Sequence, residues 1–212
     1  MKKVLMLIAV LAVTGIASAE LLSNPGFESG SLAPWSGWGS ISGSYSWYTS
    51  QTVVNDPAAA RTGDHYLNLE TNNQSWYVSW GYSQVNQGGI AATAGTDYTL
   101  SAYVMDDAAW SGSTDWRAAK LKLTFKDASN TLLLQQEVDQ WFSSDLDWGW
   151  QYIEHTLTAP AGTATVKADI TMGDILWVGS TGIRVDDVSL VPEPATMALL
   201  GLGGLFLRRR RK

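Results

Sequence analysis

The chain has 212 residues, 45% hydrophobic and 16% charged, with a formal net charge of −6 and no cysteine. Such a length and composition suit one or two globular domains and exclude extended disorder, a collagen-like repeat and a multi-span membrane protein. Lack of cysteine removes disulfide frameworks, thiolate nucleophiles and cysteine-ligated metal centres, while 11 Trp and 8 Tyr supply flat amphipathic side chains suited to cores and to wet binding surfaces.

Residues 1–19 open with Lys2-Lys3, continue through an apolar run over 4–17 and close on Ala17-Ser18-Ala19. A basic start, a short apolar stretch and an A-x-A end predict a secretory signal peptide cleaved after Ala19. From 20 to 191, short apolar or alternating runs occur at 64–69, 76–85, 98–105, 119–125, 132–138, 151–157, 163–172 and 182–190. Turn signals such as Gly88-Gly89, Gly95-Thr96-Asp97 and Pro160-Ala161-Gly162 separate them. About eight strands at this spacing predict an all-β domain, a sandwich of two antiparallel sheets or a barrel. Leu121, Leu123 and Phe125 alternate with Lys120, Lys122 and Thr124, so one face is buried and the other is solvated. Only 135–141 has helical colouring within the body.

Catalytic signals are sparse. His65 and His155 lack metal-ligand spacing, and neither a G-x-S-x-G turn nor a phosphate-binding glycine loop occurs. Asp106, Asp107, Asp115, Glu137, Asp139, Asp145 and Asp147 read as solvated charge, although carboxylate pairs for glycoside hydrolysis are a separation that sequence does not encode. Binding has a firmer chemical basis. Sugar rings present apolar C–H patches edged by hydroxyls, which an indole covers while amides, hydroxyls and carboxylates take the edge. Trp76, Trp80 and Tyr82 alternate along a predicted strand with Gln84 following, and Trp110, Trp116 and Arg117 lie in a polar loop region. A third set, Trp141, Trp148 and Trp150, surrounds Asp145 and Asp147.

The end of the chain has three ordered parts: Pro192-Glu193-Pro194, an apolar stretch over 195–207, and Arg208-Arg209-Arg210-Arg211-Lys212. The apolar stretch would rise about 20 Å as a helix, short of a hydrocarbon core of about 30 Å, and the terminal cations would keep it at the cytoplasmic side. This arrangement resembles the PEP-CTERM sorting signal of Gram-negative bacteria. The resemblance implies export, an inner-membrane intermediate held by the short transmembrane segment, and processing near Pro192, Glu193 and Pro194 by an exosortase-type enzyme. It also implies a final place at the cell surface or in an exopolysaccharide matrix. Of 14 basic residues, two lie in the leader and five in the tail, and of 20 acidic residues only Glu193 lies beyond 191. The body therefore carries seven basic and 19 acidic residues, a net charge of −12, which makes nucleic acid an unfavourable partner.

Three further segments carry a second resemblance: Leu21-Leu22-Ser23-Asn24-Pro25-Gly26-Phe27-Glu28, Ala60-Arg61-Thr62-Gly63-Asp64-His65-Tyr66-Leu67 and Val185-Asp186-Asp187-Val188-Ser189-Leu190. With Gly95-Thr96-Asp97-Tyr98-Thr99-Leu100-Ser101, they are similar to jelly-roll carbohydrate-binding modules and their galactose-binding-like relatives. The resemblance implies that the first and last strands lie together. It also implies a structural calcium held by Glu28, by Asp186 or Asp187, and by backbone near Gly63 and Asp64. Neighbouring strand residues point to opposite faces, so one aspartate, preferentially Asp186, is expected to reach the metal. Together these readings predict a signal peptide at 1–19, a jelly-roll domain at 20–191 and a sorting signal at 192–212. The expected function is a non-catalytic contact with extracellular polysaccharide. The alternatives are a matrix or surface protein without a sugar site and a glycan hydrolase or lyase.

Overall fold

Alternation of apolar and polar side chains builds ten strands in a computed structural model that describes residues 19–42, 47–73, 79–106, 116–142, 149–176 and 179–193. They are β1 (Ser36–Ser42), β2 (Trp47–Asn55), β3 (His65–Asn73), β4 (Ser79–Ala91), β5 (Asp97–Asp106), β6 (Trp116–Lys126), β7 (Leu132–Phe142), β8 (Gln151–Thr158), β9 (Thr165–Leu176) and β10 (Gly179–Pro192). Two antiparallel five-stranded sheets result, one in the order β1-β4-β9-β6-β7 and the other β2-β3-β10-β5-β8. Consecutive strands change sheet at every step except β2 to β3 and β6 to β7, so the chain passes back and forth between the layers as a jelly-roll sandwich.

The first sheet turns Val85, Leu121, Leu123, Phe125, Ile170 and Met172 inward, all fully buried. The second answers with Leu67, Leu69, Leu100, Ala102, Val104, Ile183, Val185 and Leu190, equally buried. A large apolar side chain sealed in this way contributes about 1.5–3 kcal/mol of burial free energy, which is where a cysteine-free chain must find its stability. Lys120 and Lys122 stand on the opposite face of β6, as the alternation predicts.

Two strands escaped the sequence pattern. β1 reads Ser-Gly-Trp-Gly-Ser-Ile-Ser, and its Gly37 and Gly39 lie directly against β2. A Cβ on Gly39 would sit 2.5 Å from Thr49 Oγ1 and 2.6 Å from the Tyr82 carbonyl oxygen. The interior is polar here too, with Gln51 Nε2 donating to Ser83 Oγ at 2.8 Å and Ser83 Oγ donating to the Ser50 carbonyl at 2.8 Å. Small and hydrogen-bonded side chains fill this end of the sandwich, so no apolar alternation marks it. The helical colouring of 135–141 is also overruled: these residues belong to β7, paired along β6 from Arg117–Phe142 to Lys126–Leu132.

The two ends of the domain meet. Leu21 N–H donates to the Leu190 carbonyl at 3.0 Å and Val188 N–H to the Pro25 carbonyl at 3.0 Å. Phe27 is fully buried beside Trp35, with ring centroids 5.8 Å apart. Among the described residues no helix is long and apolar enough to cross a membrane. The predicted leader through residue 18 and the tail from Pro194 onward lie outside the described residues.

Candidate functional site

The outward face of the first sheet gathers aromatic and polar groups in register. Trp38 on β1 lies opposite Gln84 on β4, Gln84 opposite Thr171 on β9, Thr171 opposite Lys120 on β6, and Lys120 opposite Asp139 on β7. Trp38 is 59% exposed although it belongs to a strand, because Gly37 and Gly39 take the inward positions on either side. Its ring meets Tyr82 edge-on, with centroids 5.3 Å apart at 69°. Thr171 Oγ1 donates to Gln84 Oε1 at 3.4 Å, and Lys120 Nζ lies 3.2 Å from Asp139 Oδ2 and 3.5 Å from Glu137 Oε1. Gly173 keeps the middle of the face low, since a Cβ there would touch Lys120 Cε at 3.4 Å.

The predicted ligand residues converge on this sheet as far as the description reaches. Tyr82 and Gln84 stand on the face itself. Trp80 and Trp116 occupy one row of the sheet, each paired with Ile175, and Arg117 pairs with Asp174 in the next row. Two segments that sequence separates by more than thirty positions thus reach the same end of one sheet. Trp76 and Trp110 lie outside the described residues, as do Asp107, Asp115, Asp145, Asp147 and Trp148. Trp38 was missed because its strand was missed; the Gly-Trp-Gly alternation was the available signal.

A second constellation sits where the chain ends meet. The fully buried Asp186 accepts main-chain N–H bonds from Arg61 at 2.9 Å and Thr62 at 3.2 Å on Oδ2, and from Asp187 at 2.7 Å on Oδ1. Burial pushes its carboxyl above the ordinary aspartate value, the N–H bonds offset only part of that, and the Asp187 charge adds to the rise. Asp187 pairs with the Arg61 guanidinium and accepts the Thr62 hydroxyl at 2.7 Å. Arg61 also lies over the Tyr103 ring, 3.3 Å from its centroid. Glu28 takes the N–H of Asp64 at 3.0 Å and of His65 at 3.2 Å. Burial raises its carboxyl, but those N–H groups and the His65 ring outweigh it and hold the value below the ordinary glutamate range.

The geometry corrects one expectation. A bulge between Asp186 and Ser189, with Asp187 at φ +46°, breaks the strict alternation of faces. Both aspartates consequently approach the same point, each Oδ1 lying 3.7 Å from where a Gly26 Cβ would stand, with Glu28 Cγ 3.6 Å from it. Gly63, at φ +62°, is required here because a Cβ would overlap the Glu28 carboxyl. An all-oxygen set of three carboxylates has the donor chemistry of a calcium site. Their oxygens are engaged by N–H, hydroxyl and guanidinium donors, and among the described residues no group of three or more His, Cys, Asp or Glu side chains is arranged around a metal position.

The start of the predicted processing motif is tied into the domain. Pro192 is the last residue of β10 and pairs with Tyr98. Glu193 N–H donates to the Asp97 carbonyl at 2.7 Å, and its Oε1 accepts the Thr99 hydroxyl at 2.8 Å. Residues 190–212 match the model of the PEP-CTERM protein-sorting motif. The chain carries a PEP-CTERM tail. That motif indicates export, surface sorting in bacteria and processing by an exosortase. No curated protein matches the sequence.

Solved structures share the fold of this chain. A family 61 carbohydrate-binding module solved with β-1,4-galactotriose is 20% identical with a TM-score of 0.52, over 83% of this chain and 100% of the module. A structure of carbohydrate-binding modules of the β-sandwich superfamily is 16% identical with a TM-score of 0.54, over 82% of this chain and 63% of that one. The enzymatically active domain of tailspike protein 4 of bacteriophage CBA120 is 11% identical with a TM-score of 0.58. The match covers 82% of this chain but spans only 21% of the tailspike chain.

Proposed function

We propose that this exported protein binds extracellular polysaccharide without cleaving it, through the outward face of the sheet that carries Trp38. One observation carries the reading: Trp38, 59% exposed and braced edge-on by Tyr82, borders a row of Gln84, Thr171, Lys120 and Asp139. The indole offers a flat apolar surface for the C–H patch of a sugar ring. The amide, hydroxyl, ammonium and carboxylate beside it offer donors and acceptors for ring hydroxyls. The fold shared with the galactotriose-bound module supports the same reading. In this proposal the host is a Gram-negative bacterium and the tail holds an inner-membrane intermediate before exosortase processing.

Calcium belongs to the proposal as a structural ion at the chain-end junction. Glu28 and Asp186, with Asp187, would hold it, exchanging part of their present N–H, hydroxyl and guanidinium partners for the ion.

Affinity electrophoresis of the domain spanning 20–191 in gels containing galactan or xylan tests the binding face. Retardation is expected, and Trp38→Ala with Tyr82→Ala should abolish it while leaving the melting temperature within a few degrees. Loss of a stacked aromatic platform is worth about 1–2 kcal/mol, roughly a tenfold weakening for each ring. Unchanged retardation of the double variant would reject the face. Reducing-sugar release from the same polymers would instead favour an enzyme on this scaffold.

A further inference from the structure

The body of the protein is strongly acidic, yet its few cations are not scattered. Of the seven basic residues between 20 and 191, Lys120, Lys122 and Lys126 follow one another along the outward face of β6, and Lys167 joins them from β9. Four cations thus share the face that bears Trp38. At the end of this face remote from Trp80 and Trp116 lies a cleft of about 330 Å³, lined by Lys126 and Lys167 together with Asp127, Thr124, Asn130 and the glycine pair 88–89.

Local geometry opens the cleft. Register between β4 and β9 shifts from Gln87–Ala168 to Ile90–Val166, so Gly88 and Gly89 together face Lys167 in a bulge. A Cβ on Gly88 would crowd Lys167 Cγ at 3.2 Å, while Gly89, at φ +73°, has open space before it. Opposite them the turn after β6 holds itself shut: Asp127 Oδ1 accepts the N–H of Ser129 and of Thr131, both at 2.8 Å. Asp127 is therefore engaged within its own turn. Lys126 Nζ donates only to the neutral Asn130 Oδ1, at 3.0 Å, among the described residues. Lys167 Nζ lies 2.7 Å from Oδ1 of the fully buried Asp169 and keeps a third of its side chain exposed. In the register, Lys126 faces Thr165 and Thr124 faces Lys167, which makes the two lysines diagonal neighbours on one surface.

We propose that this cleft is a subsite for an acidic sugar residue, one bearing a carboxylate or sulfate, so that the polysaccharide taken by the face is anionic. Two ammonium groups, one of them in no ion pair among the described residues, with a hydroxyl, an amide and an open glycine backbone, are the complement of an anionic hexose, and the Asp127 carboxylate beside them is turned into its own loop. The volume admits one sugar ring. The inference rests on the polysaccharide-binding reading and specifies its ligand class. A body of net charge −12 repels a polyanion overall, so retention on one reports a local site and not general attraction.

Affinity electrophoresis on polygalacturonate, dextran sulfate and the neutral polymers galactan and xylan tests it. Retardation by at least one anionic polymer should exceed that by the neutral ones and weaken as salt rises; which anion prevails identifies the charged group. Lys126→Ala, whose partner is an exposed turn amide, should keep the fold and weaken anionic retardation about tenfold, the value of one charge-assisted bond, with neutral retardation unchanged. Lys167→Ala strands the buried Asp169 and could fail for that reason alone, so Lys167→Arg is its control: with the cation restored, anionic retardation should persist. Preference for neutral polymers, or an unaltered anionic affinity in Lys126→Ala, overturns the acidic subsite and leaves the aromatic face standing. Absence of retardation on every polymer overturns the binding reading and the subsite with it.

Discussion

His155 shows how a residue can be read correctly from its strand and still acquire a property that only packing assigns. It alternates with Ile153 and Leu157 on β8, an ordinary strand position, and is half-buried there. Packing then leaves its Nε2 buried without a hydrogen-bond partner among the described residues. Burial lowers the imidazole below its ordinary 6.5, and the main-chain bond with Gln136 opposes that only in part. A histidine depressed in the folded state stabilises the fold above 6.5 and loses that contribution as pH falls through its lower folded value. The melting temperature is therefore expected to decline as pH drops below 6.5, before the Glu28 contribution begins to fail below 4.5. His155→Gln should flatten the first decline and leave the second; a first decline that persists in the variant would assign it elsewhere. Glu28, Asp186 and Asp187 were legible as a set from their motifs, but their convergence was not, because the bulge at Asp187 is a backbone choice that no pattern of apolar residues encodes.

At the scale of elements, the strands with an apolar inward face were readable and those without one were not. β6 announced itself through Leu121, Leu123 and Phe125. β1 turns glycine inward and β2 turns Thr49 and Gln51 toward it, so the binary pattern is absent although the strand geometry is complete. The same glycines determine the candidate face, since close approach of β1 to β2 is what presents Trp38 outward. Gly39→Val should collide with Thr49 and with the Tyr82 carbonyl. Overpacking of this kind costs about 1–3 kcal/mol. Chemical denaturation should show that loss, and polysaccharide retardation should weaken in parallel as β1 lifts; a stable Gly39→Val variant with full binding would disprove the link. β7 misled in the opposite way. As an edge strand it is exposed along most of its length, which leaves the Gln135-Gln136-Glu137 stretch free to look helical.

For the whole molecule, the decisive feature is that the beginning and end of the domain are clamped together. Asp186 on the last strand takes the N–H groups of Arg61 and Thr62 from the loop before β3, while Leu21 and Pro25 bond to Leu190 and Val188. Asp186→Ala would remove the acceptor that these part-buried N–H groups share and should lower stability by about 1–2 kcal/mol in urea denaturation. Calcium should raise the melting temperature of the unaltered domain, chelator should lower it, and neither should act on Asp186→Ala. A calcium-insensitive wild-type domain would leave the N–H clamp as the only fastening and remove the ion from the proposal. Sequence by itself determined the sorting motif and the all-β class, because a short motif and period-two burial are local along the chain. Tertiary structure alone decided that Trp38 is an exposed ring, that both aspartates reach one point, and that four lysines of an acidic protein share a surface. Each of these depends on strand register and sheet order, which bring together residues that the chain keeps apart.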